Sequence, residues 1–301
     1  MNKIAFIYPG QGSQKPGMGK DFFDNSQMVR ELYEEASQIC GLDMKKLCFE
    51  ENEQLNNTAY TQCALVTTCL AMTKVYLEKT GITPDITAGL SLGEYCAIEA
   101  AGGFSFPDAV GLVRERGKLM EYALPKGFGT MAAVLGAQTK LIEAVVGAIK
   151  DVSIANYNCP GQIVITGKKA AVEQAIKLLK DQGVKRIMPL NVSGPFHSPF
   201  LKEAGEKLKI ELEKIRLYDL KIPYVTNVTA NQVLDIKETA TLLTQQISAP
   251  VLWEQSMRNM IAEGVDLFVE IGPGKTLNSF LRKINKEVQV INISKWEDIH
   301  E

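Results

Sequence analysis

Short apolar runs alternate with helix-period stretches along the first third of the chain. Residues 3–8, KIAFIY, place a continuous apolar run, 4–8, after Lys3 and before Pro9 and Gly10, and predict a strand. Helical spacing follows at 28–39 and again at 62–77. A second short run, Ile86-Thr87-Ala88, leads through Gly89-Leu90-Ser91-Leu92-Gly93 into helix formers from Glu94 onward. A further helix is predicted over 107–123. Strands alternating with helices indicate an α/β fold with a mostly parallel sheet. Such sheets carry their chemistry at the carboxyl ends of strands, where Gln11 and Ser91 both fall.

The pattern breaks at Pro125-Lys126-Gly127-Phe128-Gly129. Beyond it come strand 130–135, helix 140–149, strands 152–156 and 162–166, helix 170–179 and strand 185–192. This β-α-β-β-α-β order is the ferredoxin-like arrangement and predicts a subdomain over 126–192, inserted in a larger domain made of 1–125 and 193–301. In the larger domain, helices are expected at 201–215, 239–246 and 253–263, and strands at 223–227 and 267–271.

The stretch around Ser91 is the first to suggest chemistry. A serine at the apex of a strand-turn-helix, with glycines two residues to either side, projects its Oγ beside the N–H groups that open the helix. That pattern also arises by chance, so it needs partners. The helix over 107–123 offers one. Ala109, Leu112, Val113, Leu119, Met120 and Ala123 share a face at 100° per residue, and Arg116 projects from the middle of that stripe. Arg114, Glu115, Lys118 and Glu121 fall on the opposite, solvated face. An inward guanidinium needs an anion or several acceptors: the choices are burial against an internal Asp or Glu, or a substrate carboxylate gripped in bidentate fashion.

Composition narrows the remaining choices. The 301 residues carry a formal net charge of −2, which gives no electrostatic support for nucleic-acid or membrane-surface binding. No stretch approaches the roughly 18 apolar residues that span a bilayer, and the N-terminus lacks a signal-peptide pattern, so a cytoplasmic protein is expected. The six cysteines are spaced for neither zinc nor disulfides and read as buried, reduced thiols; no metal site is expected. There are two histidines, and His300 lies in a tail expected to be mobile. Imidazole chemistry therefore rests on His197, in the turn-forming segment Ser193-Gly194-Pro195-Phe196-His197-Ser198-Pro199. A serine nucleophile needs a base, so Ser91 and His197 stand or fall together. No acid completes a triad convincingly: Asp108, Asp151 and Asp181 lie between them in sequence without a strand-end position, so a backbone carbonyl could orient the imidazole instead. Two glycine clusters, at Gly10–Lys15 and Gly272–Thr276, mimic nucleotide loops but lack a required glycine each.

These segments together resemble the malonyl-CoA:acyl carrier protein transacylases and the related acyltransferase domains of fatty-acid and polyketide synthases. The matching stretches are FIYPGQGSQKPGMG (6–19), TAYTQCAL (58–65), GLSLGEY (89–95), RERGKLM (114–120), NYNCPGQIVITG (156–167), SGPFHSPF (193–200), APVLW (249–253) and VEIGPGKTL (269–277). The resemblance implies an α/β-hydrolase-like core with an inserted ferredoxin-like subdomain. It implies Ser91 as acyl-carrying nucleophile, His197 as its base and Arg116 as the clamp for malonate. Backbone N–H groups of Gln11 and Leu92 would form the oxyanion hole, the carbonyl of Leu252 would orient His197, and Asn158 would line the site. Malonyl-CoA and the phosphopantetheine arm of an acidic acyl carrier protein are the implied substrates, with no bound cofactor. A monomer is expected, although the sequence itself does not fix the oligomeric state. Lys126, Lys168, Lys169, Lys185 and Arg186 are candidates for the docking surface. Leu90 departs from the histidine the family usually has before the nucleophile. The pattern around Ser91 alone would equally suit a serine esterase or thioesterase, or a non-catalytic carrier-binding scaffold. An acyltransferase dedicated to a polyketide pathway is also compatible.

Overall fold

The computed structural model describes residues 2–300. In chain order the elements are β1 (Lys3–Tyr8), α1 (Lys20–Asn25), α2 (Gln27–Cys40), α3 (Met44–Phe49), α4 (Thr58–Thr80), β2 (Ile86–Gly89), α5 (Gly93–Ala100) and α6 (Phe106–Glu121). Then come β3 (Gly129–Leu135), α7 (Thr139–Gly147), β4 (Val152–Cys159), β5 (Gln162–Lys168), α8 (Lys169–Asp181) and β6 (Arg186–Pro189). The chain closes with α9 (Lys202–Leu212), β7 (Tyr224–Val225), β8 (Gln232–Val233), α10 (Thr239–Gln246), α11 (Trp253–Ala262), β9 (Val265–Ile271), α12 (Thr276–Ile284) and β10 (Gln289–Ile293).

Two sheets result. The six-stranded sheet runs β10-β9-β1-β2-β7-β8, parallel except for the final pair. Its central strand shows why the apolar run is unbroken: Phe6 and Tyr8 enter the core on one face, Ala5 and Ile7 the core on the other. A parallel strand covered on both faces has no polar side to display. The second sheet, β4-β5-β3-β6, is antiparallel throughout, and Ile142, Ile165 and Leu179 help fill the core beneath α7 and α8. The expected alternation and the expected order of the short elements are both present.

The differences have local causes. The helix expected over 62–77 begins four residues earlier and is buried on nearly every side, so its polar residues are not an exposed face. Thr68 and Thr73 instead return their hydroxyls to the carbonyls of Ala64 and Cys69 at 2.9 and 2.8 Å. The helices α1, α3 and α12 and the strands β8 and β10 were not foreseen; most are short, and the parallel strand β10 is largely half-exposed, so no clean period marks them. Arg114 is another correction. It is half-buried, donates to the carbonyl of Ala59 and lies 4.8 Å from the ring centroid of Tyr60. The tail expected to be mobile forms a 3-10 turn over Trp296–His300; the His300 side chain lies outside the described residues.

The segment between α10 and α11 ties the two sheets together. Val251 bonds both ways with β4, donating to Ala155 at 2.8 Å and accepting from the Tyr157 N–H at 2.9 Å. The register of β4 slips between Ile154 and Asn156 and between Tyr157 and Cys159, and such bulges re-aim side chains beside functional sites. All six cysteines are buried and free, as their apolar neighbours suggested. Among the described residues, no helix is long and apolar enough to cross a membrane.

Candidate active site

The turn after β2 is as tight as the sequence requires. A Cβ on Gly89 would overlap the backbone of Gly93, and one on Gly93 would overlap the carbonyl of Tyr8. Ser91 sits at the apex with φ 52°, left-handed backbone that an L-residue adopts only when held there. Asn227 does the holding. Its Oδ1 accepts from the Ser91 N–H at 2.6 Å and its Nδ2 donates to the Gly89 carbonyl at 2.7 Å.

Ser91 Oγ lies 2.7 Å from His197 Nε2. His197 is also left-handed, at φ 56°, and buried. Burial, reinforced by the Arg116 charge, pulls its pKa down to about 4, so the ring is neutral near pH 7 and able to accept a proton. Its other nitrogen, Nδ1, is 2.9 Å from the carbonyl of Gln246, a group at the end of α10 with no helical partner. This corrects the expectation for Leu252. The Leu252 carbonyl is occupied at the start of α11, accepting the N–H and hydroxyl of Ser256 at 2.9 and 2.8 Å. None of Asp108, Asp151 or Asp181 bonds the imidazole among the described residues; a carbonyl takes the place of a triad acid.

Arg116 is buried, as its place on the apolar stripe predicted. Its Nη1 donates to Gln62 Oε1 at 2.8 Å, while Nη2 donates to Gln246 Oε1 at 3.0 Å and to Ser91 Oγ at 3.3 Å. Its Nε has no partner among the described residues, and the guanidinium carbon lies 5.2 Å from the ring centroid of Tyr95. No carboxylate salt-bridges it among the described residues. Every hydrogen-bond acceptor is neutral, and the internal acid that does act on the guanidinium, Glu94, acts through charge without a direct ion pair.

A cavity of about 290 Å³ opens onto these groups, at the small end for a ligand pocket. Gln11, Leu92, Asn156, Asn158 and Leu90 reach it. The N–H groups of Gln11 and Leu92 have no intramolecular acceptor among the described residues, and Leu92 precedes the first turn of α5. The Gln11 amide donates to Thr58 Oγ1 at 3.1 Å, tying its turn to α4. Asn158 is buried with Oδ1 unpartnered among the described residues. Leu90, where a histidine was expected, lines the cavity wall and packs against the core cluster that contains Phe280.

The family described as acyl transferase domain matches residues 5–296. The chain belongs to that acyltransferase family. A relative named malonyl CoA-acyl carrier protein transacylase, from Bacillus subtilis, is 44% identical over 99% of this chain and 96% of its own length. The solved structure of a protein of that name from Clostridium perfringens superposes with a TM-score of 0.94 at 42% identity, covering 99% of this acyltransferase and 95% of that chain. A malonyl-transacylase solved in complex with its type II polyketide acyl-carrier protein superposes with a TM-score of 0.96 at 35% identity, covering 99% and 98% of the two chains.

Four polar residues of the acyltransferase site escaped the sequence reading. Gln62, Glu94, Asn227 and Gln246 are all buried around Ser91, His197 and Arg116. Gln62 and Glu94 lie within TAYTQCAL and GLSLGEY, and Asn227 and Gln246 end predicted elements that close on the site, which was the available signal. Glu94 is fully buried, and burial raises its pKa to about 7.

Proposed function

We propose that this acyltransferase moves a malonyl group from malonyl-CoA to the phosphopantetheine thiol of acyl carrier protein and so supplies fatty-acid synthesis. One observation carries the reading: a buried guanidinium, with no carboxylate bonded to it among the described residues, rests 3.3 Å from the hydroxyl of a serine that already meets a neutral histidine. A carboxylate-bearing acyl group would supply the missing anion.

In the first step His197 Nε2 takes the Ser91 proton as Oγ attacks the thioester carbon. The oxyanion is held by the N–H groups of Gln11 and Leu92, each such donor being worth roughly 3–4 kcal/mol when removed. The C–S bond breaks, the leaving thiolate receives the proton from His197, and malonyl-Ser91 remains. The carrier thiol then gives its proton to His197 and attacks the ester, and Ser91 Oγ recovers a proton as it leaves. The Gln246 carbonyl keeps Nδ1–H directed away from the serine, and the C-terminal end of α10 favours the transient imidazolium. Asn158, whose Oδ1 has no partner among the described residues, suits the amide groups of a pantetheine arm.

In this reading residues 1–125 and 193–301 form an α/β-hydrolase-like core and 126–192 a ferredoxin-like subdomain, in a monomeric cytoplasmic enzyme. An acidic carrier protein would dock on Lys126, Lys169, Lys185 and Arg186. Lys168 is less available, since it pairs with Asp151 at 2.8 Å and lies near the rings of Phe128 and Phe200. Likeness to the polyketide malonyl-transacylase favours a second reading, service to a polyketide pathway. Intact mass tests the chemistry: malonyl-CoA should add one malonyl group, holo carrier protein should remove it, and Ser91→Ala should add none. An adduct on the alanine variant, or release as free malonate at the same rate without carrier, would overturn the reading in favour of another nucleophile or of a thioesterase. Comparing rates on fatty-acid and polyketide carriers separates the two pathways.

A further inference from the structure

Glu94 is two residues inside the helix that follows the nucleophile's turn, fully buried, and takes no part in the two transfer steps. Its Oε2 accepts from Gln246 Nε2 at 2.7 Å and from the Asn227 N–H at 3.1 Å, while Oε1 has no partner among the described residues. Those two neighbours touch nearly everything that matters. Gln246 donates through Nε2 to the Ser91 carbonyl at 2.9 Å, accepts through Oε1 from Arg116, and accepts through its backbone from His197. Asn227 clamps the Ser91 N–H and the Gly89 carbonyl.

The donor and acceptor inventory leaves one arrangement. A guanidinium only donates, and Oε2 of Glu94 accepts whether or not Oε1 carries a proton. The Gln246 amide therefore has to turn its nitrogen toward Glu94 and its oxygen toward Arg116. The carboxyl thus sits one amide away from the guanidinium. A carboxylate at the position of Gln246 would pair with Arg116 directly and would compete with an incoming acyl carboxylate.

We propose that Glu94 is a positioning residue for acyl selectivity: by accepting from the Gln246 amide nitrogen it keeps the neutral amide oxygen turned to Arg116, which orients the guanidinium for the substrate. The proposal rests on Arg116 being the clamp for a carboxylate-bearing acyl group.

The test measures loading of the full-length protein with malonyl-CoA and acetyl-CoA, as kcat and KM for each, with thermal unfolding alongside. Glu94→Met keeps the length and removes the acceptor. It should raise the KM for malonyl-CoA more than it lowers kcat, and reduce the malonyl-to-acetyl ratio of kcat/KM at least about 10-fold, as expected when a polar partner is lost. Glu94→Gln retains an acceptor oxygen and should return the ratio to within about 3-fold of the parent. The exchange Glu94→Gln with Gln246→Glu keeps the same groups in the pocket but places the carboxylate against Arg116. It gives up the Gln246 donation to the Ser91 carbonyl, a loss that both substrates share, and should lose malonyl loading at least about 10-fold more than acetyl loading. Equal losses for the two substrates in Glu94→Met, or an unchanged ratio in the exchange variant, would overturn the proposal. Failure of the parent itself to load malonate, or Arg116→Ala retaining the parent's selectivity, would overturn the functional reading beneath it.

Discussion

Arg116 Nη2 donates to Ser91 Oγ at 3.3 Å, so a cation rests against the atom proposed to attack. The same charge helps hold His197 in its neutral form. One side chain thereby acts on both members of the pair, and removing it should have two separable effects.

The first effect is on substrate choice. Arg116→Ala should lower kcat/KM for malonyl-CoA at least about 100-fold, the loss of two charge-assisted hydrogen bonds at about 1.5–3 kcal/mol each. Acetyl-CoA has no carboxylate to lose, and its rate should hold or rise. Kinetics with both thioesters check this; a matched fall for both would assign Arg116 a structural role.

The second effect is on pH dependence. With His197 held down to about 4, kcat/KM for acetyl-CoA should retain its acid limb near pH 4 rather than near the ordinary 6.5 of histidine. In Arg116→Ala that limb should move upward, because one of the two causes is gone, but not fully to 6.5, because burial remains. An unmoved limb would show that the charge does not reach the imidazole.

Asn227 should prove as important as the groups that react. Asn227→Ala strands the Ser91 N–H and the Gly89 carbonyl, at about 1–3 kcal/mol for each buried unsatisfied group. Expected outcomes are a lower melting temperature and slower acylation, because the turn that aims Oγ relaxes. Parental values of both in calorimetry and stopped-flow loading would contradict the clamp.

Buried ionisable groups also set how stability changes with pH. Glu94 and Glu270 are both pushed up by burial, from 4.5 to about 7. Between those values the folded chain binds more protons than the unfolded one, so these two groups make stability fall as pH rises through that window. His197 acts in the opposite sense: its contribution is full above 6.5 and is lost as pH falls toward about 4. Two carboxyls outweigh one imidazole, so Glu94→Gln should flatten the decline in melting temperature between pH 5.5 and 7.5, a range set by these shifts. An equally steep decline in the variant would mean that Glu94 is not titrating there.

Much of this site was legible from residue type and spacing. The apolar stripe that predicted a buried Arg116 is a property of one helix, and the scarcity of histidine isolated His197. Both depend on local pattern, which the fold preserves. Leu252 was misplaced for the opposite reason. Which carbonyl meets an imidazole depends on where α10 stops relative to a turn 49 residues earlier in the chain, and no local period reports that. Glu94, Gln62, Asn227 and Gln246 share that difficulty. They are polar residues whose burial becomes visible only once α4, α5, α6 and α10 converge. Elements were recovered where both faces pack, as in β1, and missed where they are short or half-exposed, as in α3 and β10.

Ser91 and His197 both occupy left-handed backbone, at φ 52° and 56°. Each non-glycine residue held there costs on the order of 1 kcal/mol or more, and glycine would relieve it. Selection for stability alone would therefore erode both positions toward glycine. Related chains that have abandoned the chemistry while keeping the fold should carry that replacement at one turn or both, which makes these two backbone angles a way to recognise a retired enzyme.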